Sequence, residues 1–118
     1  MEKLKIWHNE KCTKSRNALE LLNASGIEIE VINYLENRLS KDEIKDVLRL
    51  INTNARGLMR VTELLYKELD LNNDSLSEES LIQTMVDNPS LIQRPVVIYK
   101  GKAALGRPIE NILELISF

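Results

Sequence analysis

Apolar residues recur at two different spacings along this chain, and the changes of spacing mark its elements. Leu4 and Ile6 stand two apart and lead into Trp7, which predicts a short first strand. After His8 to Lys11, the residues Ala18, Leu19, Leu21 and Leu22 fall at helical spacing, and Ser25-Gly26 supplies a stop signal, so a first helix follows. Ile27, Ile29 and Val31 then alternate with Glu28 and Glu30 ahead of Ile32, Asn33 and Tyr34, the pattern of a second strand rich in β-branched residues. Two strands joined by a helix are expected to run parallel with a right-handed connection.

The middle of the chain has no such alternation. Ser40 with Glu43 forms a capping box ahead of Ile44, Val47, Leu48 and Ile51, and Ser77 with Glu78 and Glu79 opens a second helix through Leu81, Ile82, Met85 and Val86 that must stop before Pro89. Two shorter helical patterns, Ala55 to Arg60 and Glu63 to Leu69, lie between them, followed by the polar connection Asn72 to Ser75. Val96 to Tyr99, a turn at Lys100-Gly101-Lys102 and Ala103 to Leu105 predict a hairpin. Pro108 is expected to start a last helix carrying Ile109, Ile112, Leu113 and Ile116. A βαβ unit, inserted helices and a closing ββα make an α/β chain of thioredoxin-like, glutaredoxin-like order, with a mixed four-stranded sheet flanked by helices. The expectation is one domain over residues 1–118, with the helical insertion at about 40–90.

Composition narrows the chemistry. The 118 residues suffice for one domain with its own core, and 43% hydrophobic and 29% charged residues are ordinary for a soluble protein. No long apolar run or leader is read, so a cytoplasmic location is expected. A net charge of −2 with interspersed signs argues against general nucleic-acid or membrane binding. Nothing marks an oligomeric interface, and a monomer is the default. The single cysteine excludes an internal disulfide, and with the single histidine it cannot close a metal shell, so no metal is expected.

That leaves Cys12 as either an inert packing residue or a free thiol. Its neighbours Glu10, Lys11, Thr13 and Lys14 are all polar, which fits an exposed loop. At the N-terminus of the first helix, unpaired N–H groups and the helix dipole favour a thiolate. A fall of about two units from an ordinary thiol pKa, worth roughly 2.7 kcal/mol, makes thiolate the main form at neutral pH. Ser15 is positioned to donate a hydrogen bond to the sulfur, and Arg16 and His8 are candidate positive neighbours. His8 by itself fits a structural role equally well. With Ser15 where a dithiol motif has its second cysteine, an external thiol must resolve any adduct. Arg60, Arg94 and Arg107 are read either as solvated surface charges or, if they converge on the thiolate, as a receptor for a tetrahedral oxyanion. Pro95, opening a strand after a long helical segment, is a candidate cis site.

The segments "HNEKCTKSRNALELL", "INYLENRLSKDE", "ARGLMR", "DNPSLIQRPVVI" and "GKAALGRP" together resemble the ArsC family of glutaredoxin-dependent arsenate reductases, within it the YfgD-type branch. The resemblance spans nearly the whole chain. It implies that Cys12 is the nucleophile, that His8 and Ser15 tune it, that Arg60, Arg94 and Arg107 bind the oxyanion, and that Arg94-Pro95 carries a cis peptide. It also implies arsenate as substrate, glutathione as co-substrate and glutaredoxin as partner, with no bound cofactor. Two alternatives share the architecture. An Spx-like regulator that binds RNA polymerase normally carries a dithiol switch, which Ser15 lacks; a glutathione-linked thiol oxidoreductase would use the same Cys12. Glu10-Lys11 departs from the small residues usual before the cysteine in arsenic-operon reductases.

Overall fold

The computed structural model describes residues 3–116. They divide into two units, one built from residues 3–37 with 94–116 and the other from residues 38–93. The first contains β1 (Leu4–Trp7), α1 (Thr13–Ala24), β2 (Ile29–Ile32), β3 (Val96–Tyr99), β4 (Lys102–Leu105) and α6 (Glu110–Ile116). The second contains α2 (Lys41–Ile51), α3 (Ala55–Leu58), α4 (Leu64–Glu68) and α5 (Glu78–Asp87), followed by a 3-10 turn at Pro89–Leu91.

In the first unit the strands form one sheet in the order β2-β1-β3-β4. β1 and β2 are parallel, as their helical crossover requires, with Leu4 opposite Ile29 and Trp7 opposite Ile32. β3 is antiparallel to both β1 and β4. This is the mixed sheet of a thioredoxin-like fold. Because side chains alternate faces along a strand, Leu4, Ile6 and Val97 share one face, against which α1 sets Ala18 and Leu22 and α6 sets Ile112 and Leu115.

Three expectations shift in detail. β2 is shorter than the apolar alternation, and Val31 is 48% exposed, because β2 is an edge strand with a neighbour on one side only. The hairpin turn uses two residues, Lys100 and Gly101, both with positive φ (51° and 73°), so Lys102 pairs with Tyr99 as the first residue of β4 instead of belonging to the turn. The last helix starts at Glu110 and not at Pro108, whose peptide bond with Arg107 is cis.

In the second unit α2 opens on the full capping box, Ser40 Oγ accepting from the Glu43 N–H at 3.1 Å and the Glu43 carboxylate accepting from the Ser40 N–H at 3.0 Å. α5 opens on Ser77, whose hydroxyl accepts from the Ser80 N–H at 3.1 Å. Glu79 joins these helices by ion pairs to Lys45 at 2.7 Å and Lys41 at 3.3 Å. The short helix α3 is held from both sides. The Glu78 carboxylate accepts from the Ala55 N–H, and the Arg56 guanidinium donates to the carbonyls of Leu71 and Asn73 at 3.1 and 2.8 Å. Met59 bridges Ile92 in antiparallel fashion, flanked by Arg60 N–H to Leu91 carbonyl at 2.7 Å and Gln93 N–H to Leu58 carbonyl at 2.8 Å. No helix among the described residues is long and apolar enough to cross a membrane.

Candidate active site

Sheet register decides which side chains meet at the start of α1. Trp7 pairs with Val96 and Val96 pairs with Leu105, so the loop leaving β1, the residues entering β3 and the residues leaving β4 emerge at one end of the sheet. Those segments carry His8 and Cys12, Arg94 and Pro95, and Gly106 and Arg107. The Gly106 N–H donates to the Pro95 carbonyl at 2.8 Å, extending the pairing by one step, and Arg107 Nε donates to the Arg94 carbonyl at 2.9 Å. A Cβ at Gly106 would collide with the Pro95 ring, so only glycine lets β4 close against Pro95. Arg94-Pro95 is cis, and so is Arg107-Pro108, for which the sequence carried no expectation.

Cys12 is the N-cap residue of α1, in extended conformation with φ −95° and ψ 122°. Its polar neighbours are exposed, but Cys12 itself is only 8% exposed, against the expectation of an open loop. Arg107 Nη2 lies 3.5 Å from its Sγ, as a donor. Burial pushes the thiol up. That is outweighed by the Ser15 N–H, by hydrogen bonding from and the charge of Arg94, and by the Lys14 N–H, leaving its pKa at about 7, below the ordinary thiol value. The helix N-terminus therefore acts through N–H groups aimed at the sulfur.

Three expected contacts are corrected here. The Ser15 hydroxyl does not serve the sulfur: it lies 2.7 Å from His8 Nδ1 and accepts from the Asn9 N–H at 3.1 Å, and Ser15 reaches Cys12 through its backbone. His8 is not a positive neighbour, because burial lowers its pKa below the ordinary histidine value, opposed by the charge of Glu10 and reinforced by that of Arg16. Arg16 directs its guanidinium to the Glu10 carbonyl at 3.2 Å and the Thr13 hydroxyl at 3.3 Å, bracing the loop instead of facing the thiol. The expectation that unpaired N–H groups of the first turn favour the thiolate is met by those of Ser15 and Lys14, which the sequence did not single out because backbone donors leave no mark on residue type.

Arg94, Pro95 and Arg107 are thus gathered at Cys12. Arg94 Nε is buried with no hydrogen-bond partner among the described residues. Arg60 belongs to the unit of residues 38–93, where its guanidinium pairs with Glu63 at 2.9 Å. Among the described residues no three His, Cys, Asp or Glu side chains cluster in a way that could hold a metal ion.

Comparison with known proteins points the same way over nearly the full length. The protein YfgD of Escherichia coli (strain K12), itself uncharacterised, is 51% identical over 116 residues, covering 98% of each chain. An arsenate reductase of Neisseria meningitidis serogroup B is 47% identical over 113 residues, covering 95% of this chain and 97% of the relative. The structure of an arsenate reductase from Vibrio cholerae superimposes with a TM-score of 0.93 at 43% identity, covering 97% of this chain and 98% of that one. The profile of the ArsC family matches residues 7–115, a span that runs from the end of β1 to the last turn of α6 and takes in Cys12, Arg94 and Arg107. The chain is a member of the ArsC family.

Proposed function

We propose that this chain is an arsenate reductase, reducing arsenate to arsenite through a covalent Cys12 adduct that glutathione and glutaredoxin resolve. The observation that carries the proposal is the pairing of a thiol held at about pKa 7 with arginine donors: Arg107 at the sulfur and the buried, unpartnered Nε of Arg94. A buried guanidinium N–H without an acceptor is costly, and a tetrahedral oxyanion supplies acceptors in the bidentate geometry that guanidinium groups favour. Relatives named arsenate reductase at 47% identity support arsenate as that oxyanion.

In this mechanism the Cys12 thiolate attacks arsenic. An S–As bond forms as an As–O bond breaks, and the oxygen leaves protonated, as water. Arg94 and Arg107 neutralise the oxyanion and the charge that develops on it. Glutathione attacks the adduct, arsenic(V) accepts two electrons to become arsenic(III), and the two electrons come from two thiols that end as a disulfide. Glutaredoxin then returns Cys12 to its thiol. The net change is arsenate plus two thiols to arsenite, one disulfide and water. His8 and Ser15 position the loop that presents Cys12.

The test is arsenate-dependent NADPH oxidation in an assay coupled to glutathione, glutaredoxin and glutathione reductase. Turnover is expected from the native chain and none from Cys12→Ser, while Arg94→Ala and Arg107→Ala mainly raise the KM for arsenate. Arsenate reduction by Cys12→Ser overturns the mechanism. No turnover by the native chain, with glutaredoxin shown to be active, overturns the assignment of substrate.

A further inference from the structure

Among the described residues six large hydrophobic side chains are exposed, and three of them, Val61 (48%), Leu64 (68%) and Leu69 (42%), belong to α4 and its immediate flanks. One exposed leucine needs no explanation, whereas a cluster of apolar side chains in water marks an interaction surface. The segment that carries them is well anchored. Tyr66 and Leu71 are buried, and the Arg56 guanidinium holds the carbonyls of Leu71 and Asn73.

Val61 is also part of a groove with a cavity of about 590 Å³, whose other walls are Tyr66, Lys67, Asp70 and Asn72, all in the unit of residues 38–93. Tyr66 is only 6% exposed, yet its hydroxyl makes no hydrogen bond to any described residue. Lys67 and Asp70 carry opposite charges, and among the described residues neither is in an ion pair. The Asp70 carboxylate accepts only from the Asn73 amide, at 3.3 Å. With φ 52° and its N–H on the Lys67 carbonyl at 3.0 Å, Asp70 is fixed just past the end of α4.

Such a face is complementary to its own image. A partner carrying one sign of charge would meet a like charge at Lys67 or at Asp70, whereas under a two-fold axis Lys67 of each copy meets Asp70 of the other. The protruding leucines and the groove likewise supply both halves of an apolar contact. We infer that this face is a self-association surface whose occupant is a second copy of this chain. α4 packs against the partner's α4, Leu64 of each copy enters the groove of the other, and two Lys67–Asp70 pairs flank the contact. Three apolar side chains on a short segment make a small interface, below about 1,200 Å² in total, so the association is weak and reversible.

The experiment is sedimentation velocity of the full chain from about 10 μM to about 1 mM, the range in which a weak, small interface dissociates. A reductant is present, so that no disulfide between two Cys12 thiols links the copies. The native chain should show a monomer–dimer equilibrium. Leu64→Glu alters a side chain that is mostly in water, so the fold is retained while the dimer constant weakens at least about tenfold. Lys67→Glu and Asp70→Lys each place like charges opposite one another twice per dimer and should weaken association by a similar factor. Mixing these two variants restores opposite charges at both contacts and should return association to within about threefold of the native value. Thermal melting followed by circular dichroism confirms that each variant is folded, and the Leu64→Glu comparison does not depend on the charge variants. A native chain that stays monomeric throughout overturns the inference and leaves the face to a different protein. Native-like association by Leu64→Glu, or a mixture that associates no better than its folded components, also overturns it.

Discussion

Burial alone would make Cys12 a poor nucleophile, since a thiolate loses more by leaving water than a thiol does. Donors at the N-terminus of α1 and the guanidinium of Arg94 reverse that balance and leave the thiol near pKa 7. The rate of alkylation by iodoacetamide should therefore rise through about pH 7. Arg94→Ala removes a cation and a donor that favour the charged form, so the midpoint should move up, by about one unit. Because the folded thiol ionises more readily than the unfolded one, its contribution to stability is complete above the ordinary thiol range and is lost as pH falls through about 7. Ser15 separates two readings of its role. If its hydroxyl held the sulfur, Ser15→Ala would raise the thiol pKa; in this structure the backbone N–H does so and survives the substitution. Ser15→Ala should leave the alkylation midpoint low while costing about 1–3 kcal/mol in urea unfolding, because His8 Nδ1 and the Asn9 N–H lose their buried partner.

Among the elements, those with a local signal were legible in the sequence and those that depend on a partner were less so. The capping box at Ser40, the Ser77 cap and the stop before Pro89 are contacts within a few residues, and each helix begins or ends where its own residues dictate. The extent of β2 and the exposure of Val31 depend instead on how many strands lie beside it, which the alternation of Ile27 to Ile32 does not encode. Gly106 shows the same dependence at the site. The residue type alone assigns it no part, yet the structure uses it because β4 must close against Pro95 with no room for a Cβ. Gly106→Ala should cost about 1–3 kcal/mol in chemical denaturation through overpacking against the Pro95 ring. An unchanged denaturation midpoint would show that the Pro95 loop yields freely.

For the molecule as a whole, the proposed oxyanion site links ligand binding to folding. An anion that binds the native state and not the unfolded chain raises the melting temperature, by an amount equivalent to about 2.7 kcal/mol at a hundredfold excess over Kd. Phosphate, a non-reducible mimic of arsenate, should raise the Tm of Cys12→Ser, and the effect should be lost in the Cys12→Ser, Arg107→Ala double variant. An equal Tm increase in both would place the anion away from Arg107. Net charge says nothing about such a site: at −2 the chain has no broad basic face, and the cations that matter are individual arginines brought together by the fold.

By itself the sequence determined the α/β order, the parallel first pair of strands, the closing hairpin, the helix caps of the middle segment and the choice of Cys12 as the chemical centre. All of these follow from periodicity, capping residues or residue type, which act over short range. Only the tertiary structure decided what surrounds the sulfur. Arg94 and Arg107 are 82 and 95 residues from Cys12 in the chain, and the pairing of β1 with β3 and of β3 with β4 brings their segments to it. The lowered pKa of Cys12 was expected from its place at a helix N-terminus, but the part Arg94 plays in it was hidden, as was the state of His8, which burial and the charges of Glu10 and Arg16 set.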